Sequence, residues 1–166
     1  MILPVIRPEI PSDIPAIHAL TKAAFAPMWF SNGSEADIID QLRKDGDLTL
    51  SWVAVQDGKL VGHIAFSPVT ISDGPSGWFG LGPVSAAPDL QRKGIGSALI
   101  NAALVELRKS GAKGVVLLGS TDYYPRFGFE HRETLTYGED PTEFFQVLKL
   151  SGDWPSGAVK YAPAFG

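Results

Sequence analysis

The sequence predicts a single α/β (α+β) domain in which about four helices flank a central mixed, mostly antiparallel sheet of about six or seven strands. Two apolar runs, residues 78–84 and 114–118, flank a segment with helical periodicity, which is typical of a parallel strand–helix–strand crossover. The Asp57-Gly58 pair between two β-rich segments indicates an antiparallel hairpin. A chain of 166 residues is also long enough to bury a core without disulfides.

Composition excludes several classes of protein. Hydrophobic residues make up 45% of the chain, and no apolar run approaches the ~20 residues that a membrane span needs. The first residues contain three prolines and no basic segment, so we expect no secretory signal and a cytoplasmic protein with no membrane partner. The net charge of −4 argues against a nucleic-acid partner. With no cysteine, the chain has no disulfide, thiolate metal site or cysteine nucleophile.

The first third of the chain reads as a strand followed by two helices. Val5–Arg7 is β-rich, and Ser12 or Asp13 is positioned to cap a helix that ends near Phe25. Ser34-Glu-Ala-Asp37 resembles a capping box and predicts a second helix through about Lys44. Residues 49–56 and 59–71 then form the two strands of the predicted hairpin.

The loop between the two helices carries Met28, Trp29 and Phe30 in a row. These large apolar side chains could pack onto the core or line a ligand pocket. Because most such side chains in globular proteins are buried, we favour packing onto the core.

The second half of the chain contains the predicted parallel pair. Gly80, Gly82 and Pro83 weaken strand pairing near the end of the run at 78–84, so this strand is expected to bulge or to splay from its neighbour at 114–118. The helix between them spans about Gly94 to Lys109. Residues 142–150 predict a last strand, and residues 151–166 form an aromatic tail rich in proline and glycine.

The start of the helix at Gly94 has an unusual charge pattern. Arg92 and Lys93 lie where the positive end of the helix dipole disfavours cations. Gly94 and Gly96 allow a close backbone approach, and the free amides of a first helical turn bind anions. The pattern is consistent with a pyrophosphate site, although a solvated basic corner explains it as well. No GxGxxG or GxxxxGK[ST] motif is present.

Two motifs resemble those of a known family, the GNAT superfamily of N-acetyltransferases. GPVSAAPDLQRKGIGSALI (82–100) is similar to its motif A, Q/R-x-x-G-x-G/A after a bulged strand, and YYPRFGF (123–129) is similar to its motif B. The resemblance extends over nearly the whole chain and is closest to a branch of small bacterial predicted N-acetyltransferases. That branch usually has Gly-Asp-Pro before the tyrosine pair, whereas this chain has Gly119-Ser120-Thr121.

The resemblance implies a GNAT-like fold and acetyl-coenzyme A as the acetyl donor. The acceptor would be a primary amine of a small molecule or a protein, and homodimers are common in the superfamily. The donor's pantetheine arm would hydrogen-bond to the backbone of the splayed strand, and its pyrophosphate would lie at the helix start. The residues implied to bind the cofactor are Val84, Ser85, Ala86, Gln91, Arg92, Lys93, Gly94, Ile95, Gly96, Ser97, Gly119, Tyr124 and Phe127.

The same resemblance assigns Tyr124 as the general acid that protonates the departing thiolate. A phenol with a pKa of about 10 is protonated at neutral pH, so it suits that role. Tyr123 is the alternative donor. His63 is the candidate general base, although a lone histidine in a strand is more often structural.

Other chemistries find less support. The three histidines are dispersed and no HExxH motif occurs, so we expect no metal. Without a cysteine or a G-x-S-x-G motif, we favour direct transfer in a ternary complex over an acyl-enzyme. A non-catalytic acyl-CoA binding or sensing module is the alternative. By analogy with the family that the chain resembles, the acceptor pocket is expected between the loop at 27–34, the third strand and the tail at 161–165.

Overall fold

The structure, a computed structural model that describes residues 3–139 and 142–166, confirms the α/β architecture. In the described residues, three α-helices, where about four helices were expected, and four short 3-10 turns accompany a mixed sheet of six strands. The helices are α1 (Ile14–Phe25), α2 (Glu35–Asp45) and α3 (Ile95–Lys109). The strands are β1 (Val5–Pro8), β2 (Leu50–Gln56), β3 (Lys59–Pro68), β4 (Thr70–Ile71), β5 (Trp78–Ala86), β6 (Gly114–Leu118), β7 (Leu135–Thr136), β8 (Phe145–Lys149) and β9 (Gly157–Lys160).

The main sheet has the order β1-β2-β3-β5-β6-β8, and only its β5–β6 pair is parallel. That pairing is limited to residues 78–80 of β5 and 114–116 of β6. From residue 81 onward, β5 pairs with β3 alone, and its register with β3 shifts between Ile64 and Phe66. The predicted splaying of the two strands is therefore confirmed, and the far edge of β5 faces a gap rather than a strand.

A second, three-stranded sheet was not predicted. It has the order β4-β9-β7 and includes the end of the segment predicted as one strand over 59–71, which breaks at Val69. The tail at 151–166, for which no strand was predicted, supplies β9. Two of these strands are only two residues long, too short to show an alternating pattern, and all three depend on long-range pairing.

The helices lie where the sequence predicts them, but the predicted caps are wrong. Ser34 has a helical backbone conformation, and its hydroxyl donates to Asn32 Oδ1 at 2.5 Å instead of capping α2. Asp13 accepts a hydrogen bond from the Ile10 amide at 2.8 Å and pairs with Arg7. A 3-10 turn at Pro11–Asp13 leads into α1, so neither predicted residue caps it through its side chain.

The two faces of the main sheet are covered by different helices. Helix α3 packs on one face, and α1 and α2 pack on the other. A Cβ at Gly62 would lie 2.5 Å from Ile95 Cγ2, so glycine lets the first turn of α3 rest directly on β3. This contact fixes the start of α3 beside the splayed end of β5. Within the two described stretches, no helix has the length and apolar character to cross a membrane.

Candidate functional site

A cavity of about 510 Å³ lies between the splayed end of β5 and the start of α3. Nine of the residues predicted to bind the cofactor line it: Val84, Ser85, Ala86, Gln91, Arg92, Gly94, Ile95, Gly96 and Ser97. Lys93 is exposed beside it but is not among the lining residues. The splayed strand and the first turn of α3 thus form one concave surface.

The backbone of residues 91–97 at this cavity has a conformation that suits anion binding, and we call this segment the anion cradle. Gly94, the N-cap of α3, has φ of +87°, and Arg92 has φ of +66°. No side chain caps the helix, and its first internal bond runs from the Ala98 amide to the Gly94 carbonyl at 3.0 Å. The amides of residues 95–97 are therefore available to a ligand. Successive free amides beside the positive end of a helix dipole favour a bound anion.

A second arginine, missed by the sequence analysis, reaches the same cavity. Arg126 lines it together with Arg92, and no carboxylate does so among the residues that the structure describes. The Arg126 Nε donates to the Tyr123 carbonyl at 2.8 Å, and its guanidinium lies 4.5 Å from the centroid of the Tyr123 ring. A basic residue two positions after the tyrosine pair was the available signal, but only the 3-10 turn at Tyr124–Phe127 directs it here.

The two adjacent tyrosines face different cavities. The Tyr123 hydroxyl lies 2.7 Å from Ser97 Oγ and lines the cradle. Tyr124 lines a second cavity, and within the described residues its hydroxyl makes no hydrogen bond to protein. The two rings meet edge to face at 5.0 Å. The free hydroxyl of the pair is therefore that of Tyr124.

The half-buried Tyr124 phenol has a raised pKa. Loss of solvent, with a smaller contribution from the neighbouring Tyr123, raises the pKa of Tyr124 to about 12. Gly119 creates the space for this ring, because a Cβ there would lie 2.4 Å from Tyr124 Cε2. Phe127 packs against the Tyr123 ring at 5.4 Å and lines neither cavity.

The second cavity has a volume of about 750 Å³ and joins the first along Val84, Ser85, Ala86 and Gln91, which line both. Its wall is mainly apolar. The large apolar side chains lining it are Phe25, Met28, Trp29, Phe30, Leu81, Pro83, Val84, Leu118 and Phe144. An anion cradle and an apolar cavity therefore meet at one stretch of β5, with the Tyr124 hydroxyl on the apolar side.

The walls of this cavity differ from those predicted for an acceptor pocket. Trp29 is 94% exposed and Phe30 62% exposed, so the expectation that their loop packs onto the core is wrong for both. They line the cavity instead, as does Met28. The predicted third strand and aromatic tail do not: β5 supplies the wall, and Tyr161 of the tail packs against Tyr137 and Phe165.

His63 is buried in β3 behind this wall. Its Nε2 lies 2.7 Å from Ser51 Oγ, and Ser51 donates its hydroxyl to Glu9. That chain leaves Nδ1 as an unprotonated acceptor, and Nδ1 has no partner in the described part of the chain. Burial is the main reason that the pKa of His63 falls to about 4; the Glu9 carboxylate opposes this shift, and Arg43 adds to it.

His63 is not in contact with either cavity, but Ser85 connects it to them. Ser85 pairs with His63 across β3 and β5, lines both cavities, and has a buried hydroxyl that likewise lacks a partner within residues 3–139 and 142–166. The other histidines lie elsewhere. His18 Nδ1 lies 2.7 Å from Asp40 Oδ2, with Asp37 nearby, and His131 is exposed.

The buried neutral state of His63 predicts a loss of stability in acid. Because its pKa is lower in the folded protein than in the unfolded chain, the unfolded chain takes up more protons as the pH falls from 6.5 towards 4. We expect this group to remove about 2 kcal/mol from the free energy of unfolding between pH 7 and pH 4.5.

Urea unfolding at the two pH values measures this effect. His63→Gln should lose about 2 kcal/mol less than the unmodified protein over the interval. His131→Gln, which changes an exposed histidine, should match the unmodified protein. Equal losses in all three proteins would show that His63 is not held neutral by the fold.

A family model and a related protein match the part of the chain that forms most of the two cavities. The model of the "Acetyltransferase (GNAT) family" matches residues 14–129, which include both cavities' central elements. The N-acetyltransferase YhbS of Escherichia coli strain K12 is 35% identical over 158 residues, covering 93% of this chain and 92% of that protein.

Two solved structures are similar over almost their whole length. A GNAT family acetyltransferase from Brucella melitensis, solved in complex with acetyl-CoA, is 47% identical, with a TM-score of 0.88 and 98% of each chain covered. YhbS from Escherichia coli, solved in complex with CoA, is 34% identical, with a TM-score of 0.89 over 99% of this chain and 93% of that one.

Proposed function

Since the chain belongs to the GNAT family of acetyltransferases and is an N-acetyltransferase, we propose that it moves the acetyl group of acetyl-CoA directly to a primary amine within a ternary complex. The observation that carries the proposal is the junction of the two cavities. An amide-lined anion cradle and a half-buried phenol that makes no hydrogen bond to the described residues flank the same free edge of β5.

The cradle suits the donor's diphosphate. The amides of residues 95–97 donate to its oxygens, and Arg92 and Arg126 offset its charge. Residues 84–86 pair with β3 on one side only, so their other edge can hydrogen-bond the pantetheine arm in place of a strand. Lys93, Gly119 and Phe127 keep the cofactor-binding roles inferred from sequence. Phe127 acts by packing the Tyr123 ring.

Acetyl transfer requires a nucleophile, a hydrogen-bond donor that stabilises the oxyanion, and an acid that protonates the leaving thiolate. The neutral amine attacks the thioester carbonyl, so that a C–N bond forms and the C–S bond breaks. A backbone amide on the free edge of β5 stabilises the oxyanion. Tyr124 gives its proton to the sulfur as negative charge develops there, and its raised pKa of about 12 means that the phenol is protonated at neutral pH before the reaction.

The acceptor must also lose a proton, and His63 is the base that we propose. Ser85, its cross-strand neighbour, lines both cavities and is the link that we propose between the acceptor and His63. The amine proton would pass to the Ser85 hydroxyl and from there, through a water molecule, to His63 Nδ1. Neither atom has a hydrogen-bond partner in the described chain, so the two do not bond to each other directly. An imidazole with a pKa near 4 is unprotonated at neutral pH.

A screen of primary amines with acetyl-CoA tests the function, with free thiol and the acetylated product both measured. The panel includes alkyl, aryl and polyamine acceptors and a lysine peptide. We expect thiol release that depends on the amine. When both substrates are varied, double-reciprocal plots of the initial rate should give intersecting lines. Parallel lines would contradict direct transfer, because they indicate an acyl-enzyme. Acetyl-CoA binding without release for any amine would favour the sensing module.

A further inference from the structure

From the lining of the second cavity, we infer that the acceptor is a primary amine carried on an apolar alkyl or aromatic group, with no second charge. This inference rests on the proposed function and names its substrate class. It is carried by the composition and exposure of the cavity wall beyond the end of the anion cradle.

The first argument is the apolar surface left uncovered at this wall. Trp29 and Phe30 meet edge to face at 5.8 Å and remain 94% and 62% exposed. Leu118 and Phe144 also line the cavity and are 49% and 50% exposed. Four large apolar side chains around one opening are unusual for a protein surface and are typical of a binding site. An apolar group placed between them removes that surface from water.

The second argument is the charge of the wall. Among residues 3–139 and 142–166, no acidic or basic side chain lines this cavity. Its polar side chains are Ser85, Gln91, Ser120 and Tyr124. A second ammonium on the acceptor would lose hydration here and meet no carboxylate, which disfavours it. Exposed aromatic faces attract cations only weakly, so Trp29 and Phe30 do not replace that partner.

The third argument is position. The cavity continues from the cradle along residues 84–86 and 91, so its inner part receives the pantetheine arm and the acetyl group. The end of α1, the loop after it and Phe144 surround the remaining space. An amine that reaches the thioester must therefore leave the rest of its own structure among these apolar side chains.

Two acceptors of equal chain length test the inference, hexylamine and 1,6-diaminohexane. They differ only in a second ammonium at the far end. We expect kcat/KM for hexylamine to be at least about 10-fold higher, even though the diamine has two reactive ends. Single acetylation of each product is checked by mass spectrometry.

A charge placed in the cavity should change this preference. Leu118→Glu puts a carboxylate at the half-exposed position of Leu118, so the ratio of the two kcat/KM values should fall to about one or below. Val105→Glu adds the same charge on the exposed side of α3, away from the cavity, and should leave the ratio unchanged.

The possible results distinguish failure of the inferred acceptor class from failure of the proposed function. A diamine used as well as or better than hexylamine overturns the acceptor class while acetyl transfer stands. Acetylation of a lysine peptide or polyamine with neither test amine accepted overturns it in the same way. If no amine in the panel releases thiol, the proposed function fails together with the inference. If Leu118→Glu and Val105→Glu change the ratio of the two kcat/KM values equally, the cavity does not set the preference between the two amines.

Discussion

Replacing Tyr124 with phenylalanine is expected to lower kcat by about 10²-fold or more while acetyl-CoA binds with nearly unchanged affinity. The substitution removes the one hydroxyl of the tyrosine pair that makes no hydrogen bond to the described protein, and it leaves the ring in its packing beside Gly119 and Phe129. The thiolate must then leave unprotonated or take its proton from water. Thiol release under saturating substrates measures kcat, and calorimetry measures donor affinity.

Tyr123→Phe is the matched control. It also removes one hydroxyl, but that hydroxyl is bonded to Ser97 at 2.7 Å, so we expect a weaker hold on the donor and a small change in kcat. A larger loss of kcat in Tyr123→Phe than in Tyr124→Phe would reassign the acid to Tyr123. Normal kcat in both variants would remove the phenol from the mechanism.

Gly94→Val is expected to weaken acetyl-CoA binding by about 10²-fold or more. Gly94 has φ of +87°, a conformation that a β-branched residue adopts only under strain, so valine should move the loop and the amides that follow it. Backbone strain thus adds to the close approach of ligand and backbone inferred from the sequence. A Cβ at Gly94 meets no protein atom within 4 Å, so the effect comes from backbone conformation and from the space where the ligand lies.

Gly46→Val controls for strain alone. Gly46 has φ of +78° at the end of α2, and a Cβ there also meets no atom within 4 Å. The residue lines neither the cradle nor the apolar cavity. Both variants should lose similar stability, but only Gly94→Val should lose donor affinity. Equal affinities in the two variants would argue against the cradle.

The sequence predicts the cradle well because its signals are local. Gly94, Gly96 and the two adjacent cations are close along the chain, and a helix start presents free amides whatever the rest of the fold. The splaying of β5 was also predictable, since glycine and proline disrupt strand pairing locally. Tyr124 was identified by resemblance to a family motif, and its role stays a prediction.

Features that depend on distant pairing escaped prediction. The Glu9–Ser51–His63 chain joins the residue after β1 to β2 and β3, and no spacing in the sequence indicates that register. The small second sheet depends on strands of two residues and on the tail. Trp29 and Phe30 were expected to be buried because large apolar residues usually are. In the structure they line the opening of the apolar cavity and stay exposed there.

The anion cradle at residues 91–97 is the central claim, and calorimetric titration with two donors tests it most directly. Acetyl-CoA carries a diphosphate, whereas acetyl-pantetheine carries the same thioester and arm without one. We predict that the protein binds acetyl-CoA at least about 10²-fold more tightly, and that Gly94→Val removes most of this difference. Equal affinity for the two donors would contradict the assignment of the cradle to the diphosphate.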